Sequence, residues 1–399
     1  MRILIVLTYY RPHVSGLTIY TERVARALAR RGHQVTVLTS RFDRRLPARE
    51  SLEGVEIIRP WVMARVSRGV LMPTIGSWAS LLVPSHDAIS IHLPQFDAPG
   101  IALRGRLFRK PTLLTYHCDL SLPPTAFNYL ANQVVHAANH LAAGAAHGIV
   151  AYTRDYAENS PFLARYLNKV IVIPPPVEVA EVSEEEVEIF RSCHGLNHHR
   201  VIGMAARLAT EKGVEYLLEA LPGVLERYPD LQVLFAGQNQ NVLGEEAYAR
   251  KLLPVIARLG NHWKFLGTLD PRAMATFFRA CDVTVLPSIN STESFGLVQI
   301  ESMMCGRPVV ASALPGVRQP VRNTGMGRLV PPRDGRALAE ALLEILDHPE
   351  AYDKPTQDLQ AVYAPDAVAA QYEQQFLELE RQLAVQGSRH NSGPSRGRK

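Results

Sequence analysis

The chain contains no Asp-x-Asp and no Cys-x-x-Cys, no continuous apolar run long enough to cross a bilayer, and little excess charge away from its end. Each absence excludes something. The four cysteines, Cys118, Cys193, Cys281 and Cys305, have neither zinc-finger nor paired-disulfide spacing, and they fit a reducing cytoplasm. Without Asp-x-Asp, an acidic pair presenting a divalent metal to a diphosphate is not in view, so no metal or other cofactor is expected. The net charge of +5 sits mostly in the tail, where Arg389, Arg396, Arg398 and Lys399 stand without an acid; setting them aside leaves +1. A body so nearly neutral lacks the basic face that nucleic acid requires. The uncharged apolar stretch over residues 69–84 is broken by Pro73 and Gly76 and falls short of a span. It reads as a packed amphipathic segment, with a place on a membrane surface left open. The opening apolar run, residues 3–7, leads into Thr-Tyr-Tyr-Arg-Pro rather than a cleavage site, so it does not read as a signal peptide.

What is present is a globular composition, 47% hydrophobic and 20% charged, over 399 residues, which makes two domains the natural expectation. Residues 3–7 form a continuous apolar run, as in a parallel strand buried on both faces. A helix carrying Val24 and Leu28 follows, Gly32 ends it, and residues 34–38 read as the next strand. Further strands are expected at 55–58, 88–91, 112–115, 149–152 and 170–173. Pro174-Pro175-Pro176 then interrupts both helix and ladder and marks a stiff connection. Ser183-Glu-Glu-Glu186 is a capping box opening an acidic helix. A second strand series is expected at 201–205, 233–235, 263–266, 283–286, 309–311 and 328–330, separated by helices such as 214–225 and 336–346. Strands alternating with helices predict α/β architecture: two doubly wound, Rossmann-like domains facing a central cleft. The boundaries expected are 1–173, 174–364, a C-terminal helix over 365–384 packing back on the first domain, and a disordered basic tail over 385–399. Ligands of such sheets bind at the carboxyl ends of strands.

Residues 281–308 concentrate the chemistry. A short apolar strand ends at Pro287, a polar loop follows, and helical spacing begins near Phe295 with Leu297, Ile300 and Met304. Glu293 lies in the loop and Glu301 inside the helix. Gly296 at the helix mouth leaves its free N–H groups open to a phosphate. Two carboxylates beside a phosphate seat suit a ligand with hydroxyls and phosphates together, as in a nucleotide sugar.

The set Ala206-Arg207-Leu208-Ala-Thr-Glu211-Lys212-Gly213, Phe235-Ala-Gly237, Phe265-Leu-Gly267 and Glu293-Ser-Phe-Gly-Leu-x-x-x-Glu301 resembles the retaining GT-B glycosyltransferases of family GT4, over residues 3 to about 383. The resemblance implies a hexosyltransferase. Arg207 and Lys212 would hold the diphosphate, Glu301 the ribose hydroxyls, and Glu293 the donor sugar. Backbone N–H groups of Phe295, Gly296 and Leu297 would face sugar and phosphates, and Gly16 would admit the diphosphate from the first domain. His117, in Thr-Tyr-His-Cys-Asp, would lie near the anomeric carbon, with Asp119 on the acceptor side. The catalytic set it implies is His117, Glu293, Arg207 and Lys212, assembled by domain closure, with retention of configuration. Two places depart from the family pattern: Ser15-Gly16 stands for Gly-Gly, and Pro174-Pro-Pro-Val-Glu178 replaces the usual linker.

The function expected is transfer of a hexosyl unit, mannose or glucose, from GDP-mannose or a UDP-hexose to a glycan or glycolipid hydroxyl. It is expected without metal, in the cytoplasm or peripherally at the inner face of a membrane through the first domain. The alternatives are a catalytically degenerate nucleotide-sugar scaffold or sensor, and a UDP-N-acetylglucosamine 2-epimerase, which the Glu293–Glu301 block does not suit.

Overall fold

The computed structural model describes residues 1–66, 69–119 and 126–391, with residues 66, 126–131 and 387–391 described by backbone alone. The chain divides into two compact units: residues 1–176 together with 364–399, and residues 177–363.

The first unit begins with β1 (Arg2–Val6), α1 (Gly16–Arg30) and β2 (Gln34–Leu38), followed by β3 (Arg49–Leu52), β4 (Val55–Ile58) and a small hairpin, β5 (Ala64–Val66) and β6 (Gly69–Leu71). Then come α2 (Ile75–Ser85), β7 (Ala88–Leu93), α3 (Ala98–Leu107), β8 (Thr112–Tyr116), α4 (Ala126–Ala145), β9 (Gly148–Ala151), α5 (Arg154–Asn159) and β10 (Val170–Val172). Eight strands form one sheet in the order β10-β9-β8-β7-β1-β2-β4-β3. All pairs are parallel except β3–β4, which is antiparallel at the edge. The central strands β7 and β8 are buried throughout and mostly apolar, with Ser90, His92, Thr112 and Thr115 as buried polar exceptions. β3, Arg-Glu-Ser-Leu, gives no such signal, because an edge strand half-exposed to water is free to be charged. Residues 69–84 pack: Val70, Met72, Ile75, Ala79 and Val83 join the core of this unit.

The second unit contains α6 (Glu184–Cys193), β11 (Val201–Ala205), α7 (Val214–Arg227), β12 (Gln232–Ala236), α8 (Glu246–Arg258), β13 (Trp263–Gly267) and α9 (Pro271–Ala280). It continues with β14 (Val283–Leu286), α10 (Leu297–Met304), β15 (Val309–Ser312), α11 (Gln319–Thr324), β16 (Gly327–Val330), α12 (Gly335–Asp347) and α13 (Gln357–Tyr363). Its six strands are parallel in the order β13-β12-β11-β14-β15-β16. The capping box at Ser183 is complete: Ser183 Oγ accepts from the Glu186 N–H, and Glu186 Oε2 from the Ser183 N–H at 2.7 Å.

The last helix, α14 (Pro365–Asn391), returns to the first unit and packs on α1. Buried Val368, Tyr372 and Phe376 line it, and Tyr372 Oη meets Tyr20 Oη at 2.7 Å. The division between units falls three residues later than the expected 173/174. Pro176 O accepts from Arg23 Nη1 of α1 (3.1 Å), while the Val177 N–H donates to Tyr363 O (2.8 Å), so the proline run stays with the first unit. Residues 385–391, expected to open a disordered tail, continue α14 instead, since each residue added to an established helix costs no new nucleation. Residues 392–399 lie outside the described residues. Among the described residues, no helix is long and apolar enough to cross a membrane.

Candidate active site

In the second unit the strand order reverses between β11 and β14: β12 and β13 lie to one side, β15 and β16 to the other. Such a reversal opens a crevice at the carboxyl ends of the two central strands. Arg207 and Lys212 follow β11 there, and Glu293, Gly296 and Glu301 follow β14.

Glycines let the loops close around that crevice. Gly213 sits at φ 65°, and a Cβ on it would lie 2.1 Å from Pro287 O, so only glycine lets the turn after β11 press against the end of β14. That contact brings Lys212 to Glu293, Nζ to Oε2 at 2.6 Å, joining two motifs 81 residues apart. Ser288 Oγ adds a longer contact to the same carboxylate oxygen at 3.5 Å. Glu245 braces the turn from beneath: its buried Oε2 accepts from the Thr210 N–H (3.0 Å) and Oγ–H (2.7 Å). Arg207 is more exposed and pairs with Glu211 of the same turn at 2.9 Å.

Gly296, at φ 79°, is the N-cap of α10; a Cβ there would fall 2.3 Å from Leu286 Cδ2. The helix mouth is held by Gln299, fully buried, whose Nε2 donates to Phe295 O (2.8 Å) and Val317 O (2.9 Å). The Phe295 side chain is buried against Tyr363, leaving its backbone as the part that can meet a ligand. Leu297 opens α10, and Glu301 stands half-buried in its second turn. Lys212, Glu293, Gly296 and the first turn of α10 are thus brought together, with Arg207 on the neighbouring turn. Sequence reasoning missed Gln299 and Glu245, since a buried Gln or Glu has no local signature.

In the first unit the reversal lies between β1 and β7. Gly16 follows β1 as the first residue of α1, capped by Ser15, whose Oγ accepts from the Thr18 N–H at 3.2 Å. A serine in place of a first glycine therefore acts as a helix cap. A Cβ on Gly16 would meet no atom within 4 Å, so nothing inside the protein demands glycine there. His117 follows β8, buried, and both its ring nitrogens are engaged: Nε2 meets His92 Nδ1 at 2.8 Å, and Nδ1 meets Tyr152 Oη. His92 Nε2 continues to Ser90 Oγ at 3.3 Å. Burial lowers the pKa of His117 well below the ordinary value, His92 adding to it, and burial lowers His92 to about 3. The pair is held neutral, as a chain of single hydrogens shared between rings requires. Tyr20 packs edge-on to His117 (5.0 Å), and its hydroxyl meets that of Tyr372, which also reaches Thr115 Oγ1 at 2.7 Å.

Asp119 lies two residues beyond His117. Its Oδ1 accepts from Tyr116 Oη (2.9 Å) and Ser160 Oγ (2.6 Å), and its N–H donates to Tyr156 Oη (2.7 Å). Its Oδ2 is buried without a hydrogen bond. Among the described residues no cluster of three or more His, Cys, Asp or Glu is arranged to hold a metal ion.

Two family descriptions match the chain in succession: a glycosyl transferase 4-like domain over residues 15–176, and glycosyl transferases group 1 over residues 188–360. An uncharacterized glycosyltransferase of Methanocaldococcus jannaschii is 26% identical over 373 residues, covering 87% of this chain and 89% of its own. Phosphatidyl-myo-inositol mannosyltransferase of Mycobacterium leprae is 42% identical over 135 residues, 34% of each chain. Among solved structures, sucrose-phosphate synthase of Thermosynechococcus elongatus superposes with a TM-score of 0.73 at 22% identity, covering 96% of this chain and 99% of that one. Anabaena HepE in complex with UDP-glucose gives 0.69 at 21%, covering 97% and 99%. The chain has the GT-B fold and belongs to the group 1 glycosyltransferases of the GT4 type. It is a glycosyltransferase.

Proposed function

We propose that the protein is a retaining hexosyltransferase that takes mannose or glucose from a nucleotide diphosphosugar and delivers it to a hydroxyl of a glycan or glycolipid. The observation that carries the reading is the Lys212–Glu293 pair at the strand reversal of the second unit, beside the mouth of α10. In the absence of a ligand the ammonium and carboxylate partner each other. With a donor bound, Lys212 turns to the diphosphate and Glu293 to hydroxyls of the sugar. The α10 N–H groups meet the phosphates, Glu301 holds the ribose, and Arg207 adds a second cation.

Transfer breaks the bond between the anomeric carbon and the diphosphate oxygen, and negative charge grows on the departing phosphate. Fixed cations and helix N–H groups stabilise that charge without reorganising, so the reading needs no metal. The acceptor oxygen attacks from the same face, and its proton passes to the departing phosphate oxygen. Gly16 gives the diphosphate room on the first unit, and Asp119 stands on the acceptor side. His117 reaches a donor hydroxyl once its bond to Tyr152 opens. The mannosyltransferase relative supports mannose as the transferred sugar, which makes GDP-mannose the first donor to test, and the HepE complex makes UDP-glucose the next. Residence in the cytoplasm, at the inner face of a membrane, completes the reading. That no disulfide joins Cys118, Cys193, Cys281 and Cys305 supports the reducing compartment.

The test is release of nucleoside diphosphate from GDP-mannose and UDP-glucose by the parent, Lys212→Ala and Glu293→Ala, with thermal unfolding recorded in parallel. Each substitution is expected to cut transfer by roughly 100- to 1,000-fold while the fold persists. Transfer at the parental rate in either variant sinks the assignment. Stabilisation by nucleotide sugar with no turnover on any acceptor points instead to a sensor or scaffold.

A further inference from the structure

Helices α2, α3 and α4 cover one face of the first unit's sheet, and their inner residues, such as Ala79, Ile101 and Ala142, share a single core with it. Their outer side is unusual. Leu81 on α2 (67% exposed), Leu103 and Leu107 on α3 (62% and 74%) and Leu141 on α4 (67%) stand in solvent, with Phe108 exposed just after α3. None of the three helices contains an Asp or Glu. The Asp, Glu, Lys and Arg charges they carry are positive, Arg104 and Arg106 in the last turn of α3, and Arg109 and Lys110 follow that helix.

These cations are distributed along the seams between helices. Arg104 Nε reaches Ser80 Oγ of α2 at 2.9 Å, and Arg106 Nη1 reaches Gly144 O of α4 at 3.2 Å. Lys169 closes the far end of α4, its Nζ donating to Ala143 O (2.9 Å) and Ala146 O (3.1 Å). Asp87, beyond α2, is paired with Arg2 at 2.8 Å, and Asp97 stands at the opposite, N-terminal end of α3. A helix layer facing only water ordinarily mixes charges of both signs and exposes few large apolar side chains. One that carries protruding leucines among cations alone has the make-up of a surface lying in a membrane interface.

We propose that the outer face of α2, α3 and α4 docks on an anionic lipid bilayer. Leu81, Leu103, Leu107 and Leu141 enter the acyl boundary, and Arg104, Arg106, Arg109 and Lys110 meet the headgroup phosphates. This rests on the membrane-peripheral part of the function proposed above and assigns its surface, replacing the 69–84 run, whose apolar residues are largely spent in the core. No donor-site residue belongs to the face.

The experiment is co-sedimentation of the full chain with vesicles of phosphatidylcholine alone and of phosphatidylcholine mixed with phosphatidylglycerol. Binding is expected only to the mixed vesicles. At about fivefold per cation, Arg109→Gln with Lys110→Gln should lower the partition coefficient roughly 25-fold. Leu103→Ser with Leu107→Ser should lower it at least about tenfold. Stabilisation of both variants by nucleotide sugar should match the parent's, which shows that they fold and separates this surface from the donor site. No binding, equal binding to both vesicle types, or undiminished binding by the variants overturns the proposal. So does a soluble dimer that the leucine substitutions dissociate, since the face would then be covered by a second copy. A parent that binds no vesicle yet is stabilised by nucleotide sugar refutes the surface alone; a parent that binds vesicles yet is not stabilised by any nucleotide sugar refutes the donor reading alone.

Discussion

Acidification tests the buried histidine pair directly. His92 and His117 lie 2.8 Å apart, nitrogen to nitrogen, in a wholly buried network closed by Tyr152 and Ser90. Burial, the larger cause, lowers both pKa values, His92 to about 3. In the unfolded chain both return to about 6.5. Because the folded values are the lower ones, the unfolded chain binds protons first as pH falls. The stability these rings contribute is complete above about pH 6.5 and drains away below it, toward the folded pKa. From about pH 7 to about pH 5, linkage gives a loss of about 2 kcal/mol for His92, and the lowered pKa of His117 adds a loss of the same sign. That is a large part of the 5–15 kcal/mol typical of a folded domain. The assay is denaturant unfolding of the full chain across that range, with proton NMR of the imidazole Cε1–H signals. The His92 signal should stay flat down to about pH 5, the His117 signal should show no titration near 6.5, and His92→Gln with His117→Gln should flatten the stability profile by at least about 2 kcal/mol. His86 and His147, also lowered by burial, remain in the variant and cancel in the difference. A ring titrating near 6.5 in the folded protein, or an unchanged slope in the double variant, refutes the reasoning.

Gly16→Ala should leave stability unchanged or raise it by up to about 1 kcal/mol, alanine being the better helix former, yet weaken donor binding. Nucleotide titration checks this, and unaltered affinity removes Gly16 from the site. Gly296→Ala should cost roughly 1–3 kcal/mol in a thermal melt before any ligand is added, because its φ of 79° and the approach to Leu286 leave no room for a Cβ; a melt like the parent's would contradict the cap geometry. Tyr372→Phe removes the hydroxyl shared by Tyr20 and Thr115 and should cost about 1–3 kcal/mol of stability, read by denaturant unfolding. If the C-terminal helix steadies His117 through Tyr20, the pH profile of transfer should shift in this variant as well, and an unshifted profile would leave Tyr372 with packing alone.

The sequence by itself determined what is local. Most buried parallel strands are apolar stretches recognisable from their own residues, and the Ser183 cap is complete within four positions. The glutamates and glycines after β14 carried the family, since a helix mouth open to phosphate is written in consecutive residues. Charged β3 escaped notice because an edge strand need not be apolar, and α14 ran past residue 384 because nothing at its end halts an established helix. Tertiary structure decided what depends on partners far along the chain. Lys212 finds Glu293 across 81 residues only because Gly213 lets two loops touch at the strand reversal. His117 is locked by His92 and Tyr152, which were without assigned roles in the sequence, because adjacent strands set their register. The acid-free leucine face exists only once α2, α3 and α4 lie side by side, for a periodic pattern says which residues a helix buries, while packing alone says which surfaces of separate helices become one.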